Sequence, residues 1–346
     1  MADLAEETSA VSHALKFLPV DMPSLSRTLV TGGAGFIGSH LARRLLEMGH
    51  RVRIVDNLST GFRSNVAEFE SDVEFVEGDL CDPAVASRVT REIDLVYHVA
   101  ALPSVPRSLK DPLASHANNV TATLNLLEGA RAAGVRRVVY SSSSSVYGDT
   151  AVLPKVEAVE PLPRSPYAAA KLAGEQYILA YARAGLVEGV ALRYFNVFGP
   201  RQDPNGPYAA VIPLFLRGAL TGEAVPVFGD GLQTRDFTYV TNVVQANVLA
   251  GSRPASAVNG WVVNCGAGRR TSLLELIALA EVVSGRPIQV ITHPPRGGDV
   301  RDSLAGLERA REILGYEPSV DLTEGLQRTW AWTLESEADN LASTAR

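Results

Sequence analysis

Three groups of residues in this chain have the types and spacing to do chemistry together. Tyr167 and Lys171 stand four positions apart in Tyr-Ala-Ala-Ala-Lys, just after Pro163 and Pro166, which mark the start of a helix. On a helix that spacing sets a phenol and an ammonium on one face, one turn apart. A free tyrosine titrates near pH ~10 and is a poor base at neutrality. A neighbouring ammonium favours the phenolate, so the Tyr167 value is expected to fall. The second group is Ser141 to Ser145, directly after the apolar run Arg137-Val-Val-Tyr140. By composition these serines would be a linker. By position they end a central strand, where open α/β sheets bind their ligands, and a hydroxyl there donates to a substrate oxygen without adding charge. Position carries the greater weight. The third group is glycine: Gly32, Gly35 and Gly38 in Thr31-Gly-Gly-Ala-Gly-Phe-Ile-Gly38.

The elements that must position these groups can be read around them. Leu29 and Val30 lead into the glycines, and Leu41, Leu45 and Leu46 follow at helical spacing, so the stretch reads strand, tight turn, helix. Glycine lets the backbone turn and approach a diphosphate closely, while helix amides and the helix dipole face the charge. A glycine turn alone would fit any α/β protein. Val52-Arg-Ile-Val-Asp56 separates the readings: it is a second strand ending in a carboxylate about twenty residues past the loop, where a ribose 2′-hydroxyl is held. Such a carboxylate accepts from ribose hydroxyls and repels a 2′-phosphate, which points to NAD rather than NADP. The cationic nicotinamide would then act with Lys171 on the phenol.

Farther on, Asn57 to Gly61 form a turn-rich loop beside the adenosine ribose. Residues 73–80 read as a third strand leading to Asp79. Its carboxylate either accepts from the adenine amino group, the preferred reading, or caps the helix near Pro83. Asp94-Leu-Val-Tyr-His-Val-Ala-Ala101 suits a strand buried on both faces, and Ala100 and Ala101 leave room for a cofactor at its end. His98 inside that run reads as a core histidine. A helix is expected over residues 113–133, stopped at Gly134, with Asn119 on a face toward the catalytic region.

The 346 residues suffice for one large domain or two ordinary ones, and 46% hydrophobic with 20% charged residues suits a globular, soluble chain. A net charge of −6 without a basic run argues against a nucleic-acid partner. Cys81 and Cys265 have neither metal nor redox spacing, so two reduced thiols and no metal site are expected. Residues 1–24 lack the apolar core of a secretory signal and read as a flexible extension. No apolar run approaches the ~18 residues a membrane span needs. A cytoplasmic location follows as the expectation.

In the second half, residues 185–198 hold another apolar strand ending near Asn196, and the loop of residues 201–211 mixes apolar residues with Pro and Gly. Arg235 and Arg296 each lie in a glycine-rich stretch and suit a diphosphate, which guanidinium binds bidentately. Residues 272–284 and 304–314 show helical apolar spacing, and Trp330 and Trp332 read as core residues of a last amphipathic helix. The tail beyond Glu335 reads as frayed.

Taken together, the glycine loop, Asp56-Asn57, Ser-Ser-Val-Tyr-Gly148, Tyr167/Lys171 and Arg193-Tyr-Phe-Asn-Val-Phe-Gly-Pro200 resemble the extended short-chain dehydrogenase/reductases, and within them the nucleotide-sugar 4-epimerases. The resemblance spans residues 27–332. It implies an α/β fold: a Rossmann-type doubly wound parallel sheet with a smaller C-terminal α/β substrate lobe. The implied division is an NAD-binding domain of residues 25–195 plus 236–265, a nucleotide-sugar domain of residues 196–235 plus 266–335, and a frayed tail of residues 336–346. It also implies a Ser143, Tyr167, Lys171 triad, with Tyr167 taking the proton of the sugar 4-hydroxyl, NAD accepting the hydride, and a 4-keto sugar turning over before hydride returns. Implied cofactor contacts add Phe36, Ile37, Ser59, Thr60, Leu80, Ser141 and Tyr194 to the residues above. Implied substrate contacts are Ser104, Ser143, Asn196, Ala210, Val211, Arg235, Arg296, Asp299 and Ser303, with Val227 and Phe228 near the uracil.

Ser303 stands where glucose-restricted members carry a tyrosine and leaves room for a 2-acetamido group, so a UDP-N-acetylhexosamine is preferred and UDP-glucose still fits. Arg107 leaves UDP-glucuronate open as an alternative. A 4,6-dehydratase or decarboxylase would carry a carboxylate where Ser144 and Ser145 stand, and a non-enzymatic NAD-binding regulator would not need Tyr167 with Lys171. A homodimer through the Tyr167 helix and the helix around Asn119 is implied, with the small residues Ala168, Ala169, Ala170, Ala173 and Gly174 suited to close packing.

Overall fold

The computed structural model describes residues 26–205, 209–295 and 300–344. The strands of the main sheet form where β-branched, aliphatic and aromatic residues concentrate between turn residues. In chain order they are β1 (Arg27–Thr31), β2 (Arg51–Asp56), β3 (Glu74–Glu77), β4 (Leu95–His98), β5 (Arg137–Ser143), β6 (Glu188–Tyr194), β7 (Val197–Phe198), β8 (Val225–Phe228), β9 (Thr234–Asp236), β10 (Thr238–Tyr239), β11 (Trp261–Cys265), β12 (Arg270–Ser272) and β13 (Val290–His293). The helices are α1 (Phe36–Glu47), α2 (Pro83–Val89), α3 (Val105–Lys110), α4 (Pro112–His116), α5 (Ala122–Ala133), α6 (Pro166–Arg183), α7 (Val211–Thr221), α8 (Val240–Ser252), α9 (Ala255–Val258), α10 (Leu273–Ser284) and α11 (Leu322–Thr344).

Seven strands pair in parallel in the order β11-β6-β5-β4-β1-β2-β3, the Rossmann-type order. In register, Val30 faces Ile54 on one side and Tyr97 on the other. Strand order reverses between β1 and β4, which opens a crevice at their carboxyl ends. Leu41 and Leu45 of α1 pack with Val243 of α8 on one face of the sheet. Ala86 of α2, Leu126 of α5 and Ile178 of α6 pack on the other. A separate core gathers α7, β8, α10 and α11 around Phe215, Val227, Leu276 and Trp330.

Local signals explain most boundaries. Gly134 ends α5 in the left-handed conformation (φ 71°), and Ser272 with Glu275 forms a capping box on α10. Arg137, at the start of β5 and buried, donates to the carbonyls of Ala250, Gly251 and Arg253 at the end of α8 (3.0, 3.2 and 2.7 Å), a cation on a helix carboxyl end.

Several expectations need correction. Of the two readings of Asp79, the helix cap is the one to drop: Asp82 caps α2, accepting from the Ala84 amide. The stretch 304–314 is helical only near its end, where a wide π-type turn covers Ala310–Leu314; Ala305 instead bridges Lys155. Helix α11 runs on to Thr344 rather than fraying beyond Glu335, as its Leu, Glu and Ala content favours. Trp330 is core, while Trp332 is half-buried. Ala168, Ala170 and Gly174 are buried against the rest of the chain.

Gly174 is the tightest point of that internal contact. A Cβ there would lie 2.3 Å from Tyr140 Oη, and that hydroxyl donates to the Lys171 carbonyl at 3.3 Å. Gly174→Ala should therefore push α6 from β5 and lower stability by about 1–3 kcal/mol, read as a lower Tm. An unchanged Tm would mean that α6 is not seated on Tyr140.

Candidate functional site

A cavity of about 490 Å³ opens at the carboxyl ends of β1, β2, β4 and β5. Its floor is the glycine turn between β1 and α1. Gly32 has φ 67°, and a Cβ there would lie 2.8 Å from the backbone of Ala100; a Cβ on Gly38 would lie 2.1 Å from the Gly32 carbonyl oxygen. Only glycine permits this fold-back. Gly35 caps α1 without a side-chain bond, which leaves first-turn amides available to an anion. Phe36 and Ile37 follow on the same wall.

Asp56 ends β2 with its carboxylate 8% exposed, accepting from the amides of Ala34 and Leu58, each at 2.9 Å. Burial raises its pKa against those bonds. Each oxygen accepts one of these amides and retains acceptor capacity, and Asp56 lines the cavity, as a ribose diol requires. Asn57, Ser59, Thr60 and Gly61 continue the rim, and Asn57 Nδ2 donates to Asp79 at 3.2 Å. Leu80, Ala100, Ala101, Ser141, Tyr167, Lys171 and Tyr194 complete the expected cofactor wall. These residues fit a dinucleotide: a glycine cradle that a Cβ would fill, a carboxylate at the second strand, and apolar and small residues between.

Asn119 is the exception. It is buried behind the wall, where its amide accepts from Leu102 N (3.0 Å) and donates to the carbonyls of Leu102 and Ser115 (3.1 and 2.8 Å). A π-type turn at Ala117–Thr121 changes the helical phase, and Asn118 lines the cavity instead. His98 is wholly buried between Thr31 and Thr123, each hydroxyl bonded to a ring nitrogen, and burial presses its pKa to about 3.

Ser143, Tyr167 and Lys171 come together at the end of β5 and the first turns of α6. Ser143 accepts from the amide and hydroxyl of Ser145 (3.2 and 2.9 Å) and is hydrogen-bonded to Tyr167. Lys171 is 3% exposed, its Nζ 4.6 Å from the centre of the Tyr140 ring. Burial pushes its pKa down to about 7. Contrary to the expectation from spacing, the Tyr167 pKa is raised, because burial outweighs its bond to Ser143.

A residue missed in sequence sits one turn further along. Glu175, with no exposed surface, accepts from Ser142 Oγ (2.8 Å) and from two nitrogens of buried Arg193 (3.0 and 2.7 Å). The pair joins α6, β5 and β6 beneath the triad. The signal was present, since Glu175 continues the four-residue step from Tyr167 and Lys171.

The expected substrate residues are spread more widely. Ser104 and Ala210 line the cavity, as do Arg107 and Asp203. Val211 starts α7 against the second core. Asn196, with φ 26°, donates to the Asp236 carbonyl at 3.2 Å. Arg235 precedes Asp236, and Ser303, 6% exposed, donates its amide to Thr234 at 3.1 Å. Asp236 gathers these segments: its buried carboxylate accepts from the amides of Ala267, Gly268 and Ala305 (2.8, 3.0 and 3.0 Å). Burial raises its pKa to about 6. Val227 is corrected to a core residue, 3% exposed, because alternation along β8 turns it inward; Phe228 stacks on His293 at 5.1 Å. Arg296 and Asp299 lie outside the described residues. Among the described residues no group of His, Cys, Asp and Glu could hold a metal ion, and no helix is long and apolar enough to cross a membrane.

The family model described as the NAD dependent epimerase/dehydratase family matches residues 28–266. A UDP-glucose 4-epimerase of Mycolicibacterium smegmatis is 43% identical over 307 residues, covering 88% of this chain and 97% of that protein. The crystal structure of Thermotoga maritima UDP-glucose 4-epimerase with UDP-glucose superposes with a TM-score of 0.85 at 39% identity, over 90% of this chain and 99% of that one. The UDP-N-acetylglucosamine 4-epimerase of Methanobrevibacter ruminantium, in complex with UDP-N-acetylmuramic acid, gives 0.85 at 38% identity, over 91% and 100%.

The buried ammonium of Lys171 sets a pH test. Its folded pKa, about 7, is below its ordinary 10.5, so between these values the unfolded chain binds more protons and stability rises with pH. In cofactor-stripped protein, Lys171→Met should raise Tm at pH 7, and the gain should shrink toward pH 10. A gain independent of pH would show that burial does not lower the Lys171 pKa.

Proposed function

The chain belongs to the NAD dependent epimerase/dehydratase family, and from that membership we propose that it is a UDP-hexose 4-epimerase acting preferentially on UDP-N-acetylglucosamine and UDP-N-acetylgalactosamine, with UDP-glucose and UDP-galactose also accepted. The observation that carries this reading is the Ser143, Tyr167, Lys171 group beside the dinucleotide cavity. When bound, NAD supplies a reversible acceptor for the hydride on the sugar C4. Tyr167 takes the proton of the 4-hydroxyl at its phenolic oxygen and gives it back after the sugar has turned. Ser143 bonds the same hydroxyl and holds Tyr167 in line. Lys171 lies beneath as the cation that offsets phenolate charge and bonds the ribose of the cofactor. Asn196, Arg235, Arg296 and Asp299 are assigned to the diphosphate side of the substrate.

Three other reactions fit less well. Elimination or decarboxylation calls for a carboxylate beside the catalytic serine, and Ser145 stands there, donating to Ser143. UDP-glucuronate finds Arg107 in the cavity lining, but Asp203 in the same lining opposes its sugar carboxylate. The preference for an N-acetylated sugar rests on Ser303, too small to fill the space of a 2-acetamido group. The homodimer is proposed through α4 and α6, where Leu113 and Tyr177 are exposed.

Purified protein given UDP-N-acetylglucosamine, UDP-glucose and UDP-glucuronate in turn should convert the first fastest and the last least, read by separation of the C4 epimers. Tyr167→Phe should lower turnover by about 10²–10⁴-fold with NAD still bound; near-normal turnover would remove Tyr167 from the reaction. Ser303→Tyr should cost the N-acetylated sugar far more kcat/KM than UDP-glucose. An equal loss for both, in a variant of unchanged Tm, would overturn the steric basis of the preference.

A further inference from the structure

We propose that Arg201 is a cofactor-binding residue that holds the dinucleotide diphosphate together with the glycine turn. Arg201 lines the same cavity as Gly35 and Phe36, yet it belongs to the segment that follows β7. Its side chain is only 13% exposed. Among the described residues its Nη1 has no hydrogen-bond partner although it is shut off from water. A guanidinium with five donors is costly to bury in that condition unless an anion completes it.

The local charges do not complete it. Glu68 stands 3.7 Å from Arg201 Nη2, but the same carboxylate is bonded to Arg43 at 2.5 Å. Arg43 also meets Glu47 at 3.5 Å, and Glu47 meets Arg44 at 3.2 Å, so Arg201 is left with only a shared, longer contact to one exposed carboxylate. His40 adds no charge: burial takes its pKa down to about 4, so at neutral pH the ring is uncharged. Neutral His40 Nε2 donates instead to the Pro200 carbonyl at 3.0 Å. That bond ties the residue before Arg201 to α1, whose amino end faces the cavity. Arg201 itself has φ 67°, a left-handed conformation unfavourable for a residue with a Cβ, held by the loop around it.

Arg201 therefore brings an incompletely paired cation to the cavity that the first turn of α1 also lines. The ligand that this cation and the helix amides both fit is a diphosphate, and the bond from α1 to Pro200 next to Arg201 assigns it to the cofactor rather than to the nucleotide sugar. Gln202 beside it also lines the cavity with a buried Oε1 lacking a partner among the described residues, an acceptor suited to a ribose hydroxyl on the same ligand.

The test compares full-length wild type, Arg201→Gln and Arg201→Lys for binding of NAD, ADP, adenosine and UDP by calorimetry. Arg201→Gln should weaken NAD and ADP by about tenfold or more, leave adenosine and UDP within about twofold, and steepen the loss of NAD during purification. Arg201→Lys should recover part of the affinity through charge alone. NAD affinity within twofold of wild type in Arg201→Gln would overturn the proposal. So would a loss confined to UDP, which would give the guanidinium to the substrate, or an equal loss of adenosine, which would mean a collapsed cavity. Failure of the epimerase reading would show separately, as intact NAD binding without C4 epimers.

Discussion

Beneath the candidate triad lies a carboxylate and guanidinium pair that water does not reach. Glu175 and Arg193 are 0% and 3% exposed, and their two hydrogen bonds cross from α6 to β6 while Ser142 brings in β5. Removing two charges from water costs several kcal/mol per ion, so such a pair adds little net stability over an apolar one. What it adds is geometry. The carboxylate can satisfy its partners only when α6 holds one rotation and one height against the sheet. Tyr167 and Lys171 stand on that same helix face and are placed by the same constraint. The Tyr147 ring, 4.6 Å from the Arg193 guanidinium, closes the other side of the pair.

The legible part of this chain was its local chemistry. A glycine turn between strand and helix, a carboxylate at the end of the next strand, and a phenol and ammonium one helical turn apart depend on neighbours in sequence, so spacing alone reveals them. The parallel sheet followed from apolar runs too continuous for a one-sided sheet. Less legible were the residues whose role is set by distant segments. Asp236 joins three backbone amides from residues 31 to 69 positions away, and nothing near it in sequence announces them. Arg193 was part of a recognised stretch, yet its partner lay across a helix.

The misplacements have the same origin. Asn119 was expected to face the site because a regular helix would point it there. One wide turn was enough to exchange it with Asn118. Val227 and Phe228 were taken together, although neighbours on a strand point to opposite faces. In each case the element was foreseen, and the phase within it was not. Phase is fixed by packing, which a single sequence records only through its periodicity.

The raised pKa of Tyr167 and the lowered pKa of Lys171 express one cause. Burial disfavours phenolate and ammonium alike, so each group is pushed toward its neutral form. Spacing suggested attraction between the two; solvent exclusion is the larger effect in the folded chain. The consequence is a site whose proton inventory is set from outside. A positive ring laid against this face favours the phenolate, and a ribose hydroxyl bonded to Lys171 restores part of its lost solvation. For the proposed reaction, the burial that disfavours both charged forms in the empty site would tie proton transfer at Tyr167 to a bound cofactor.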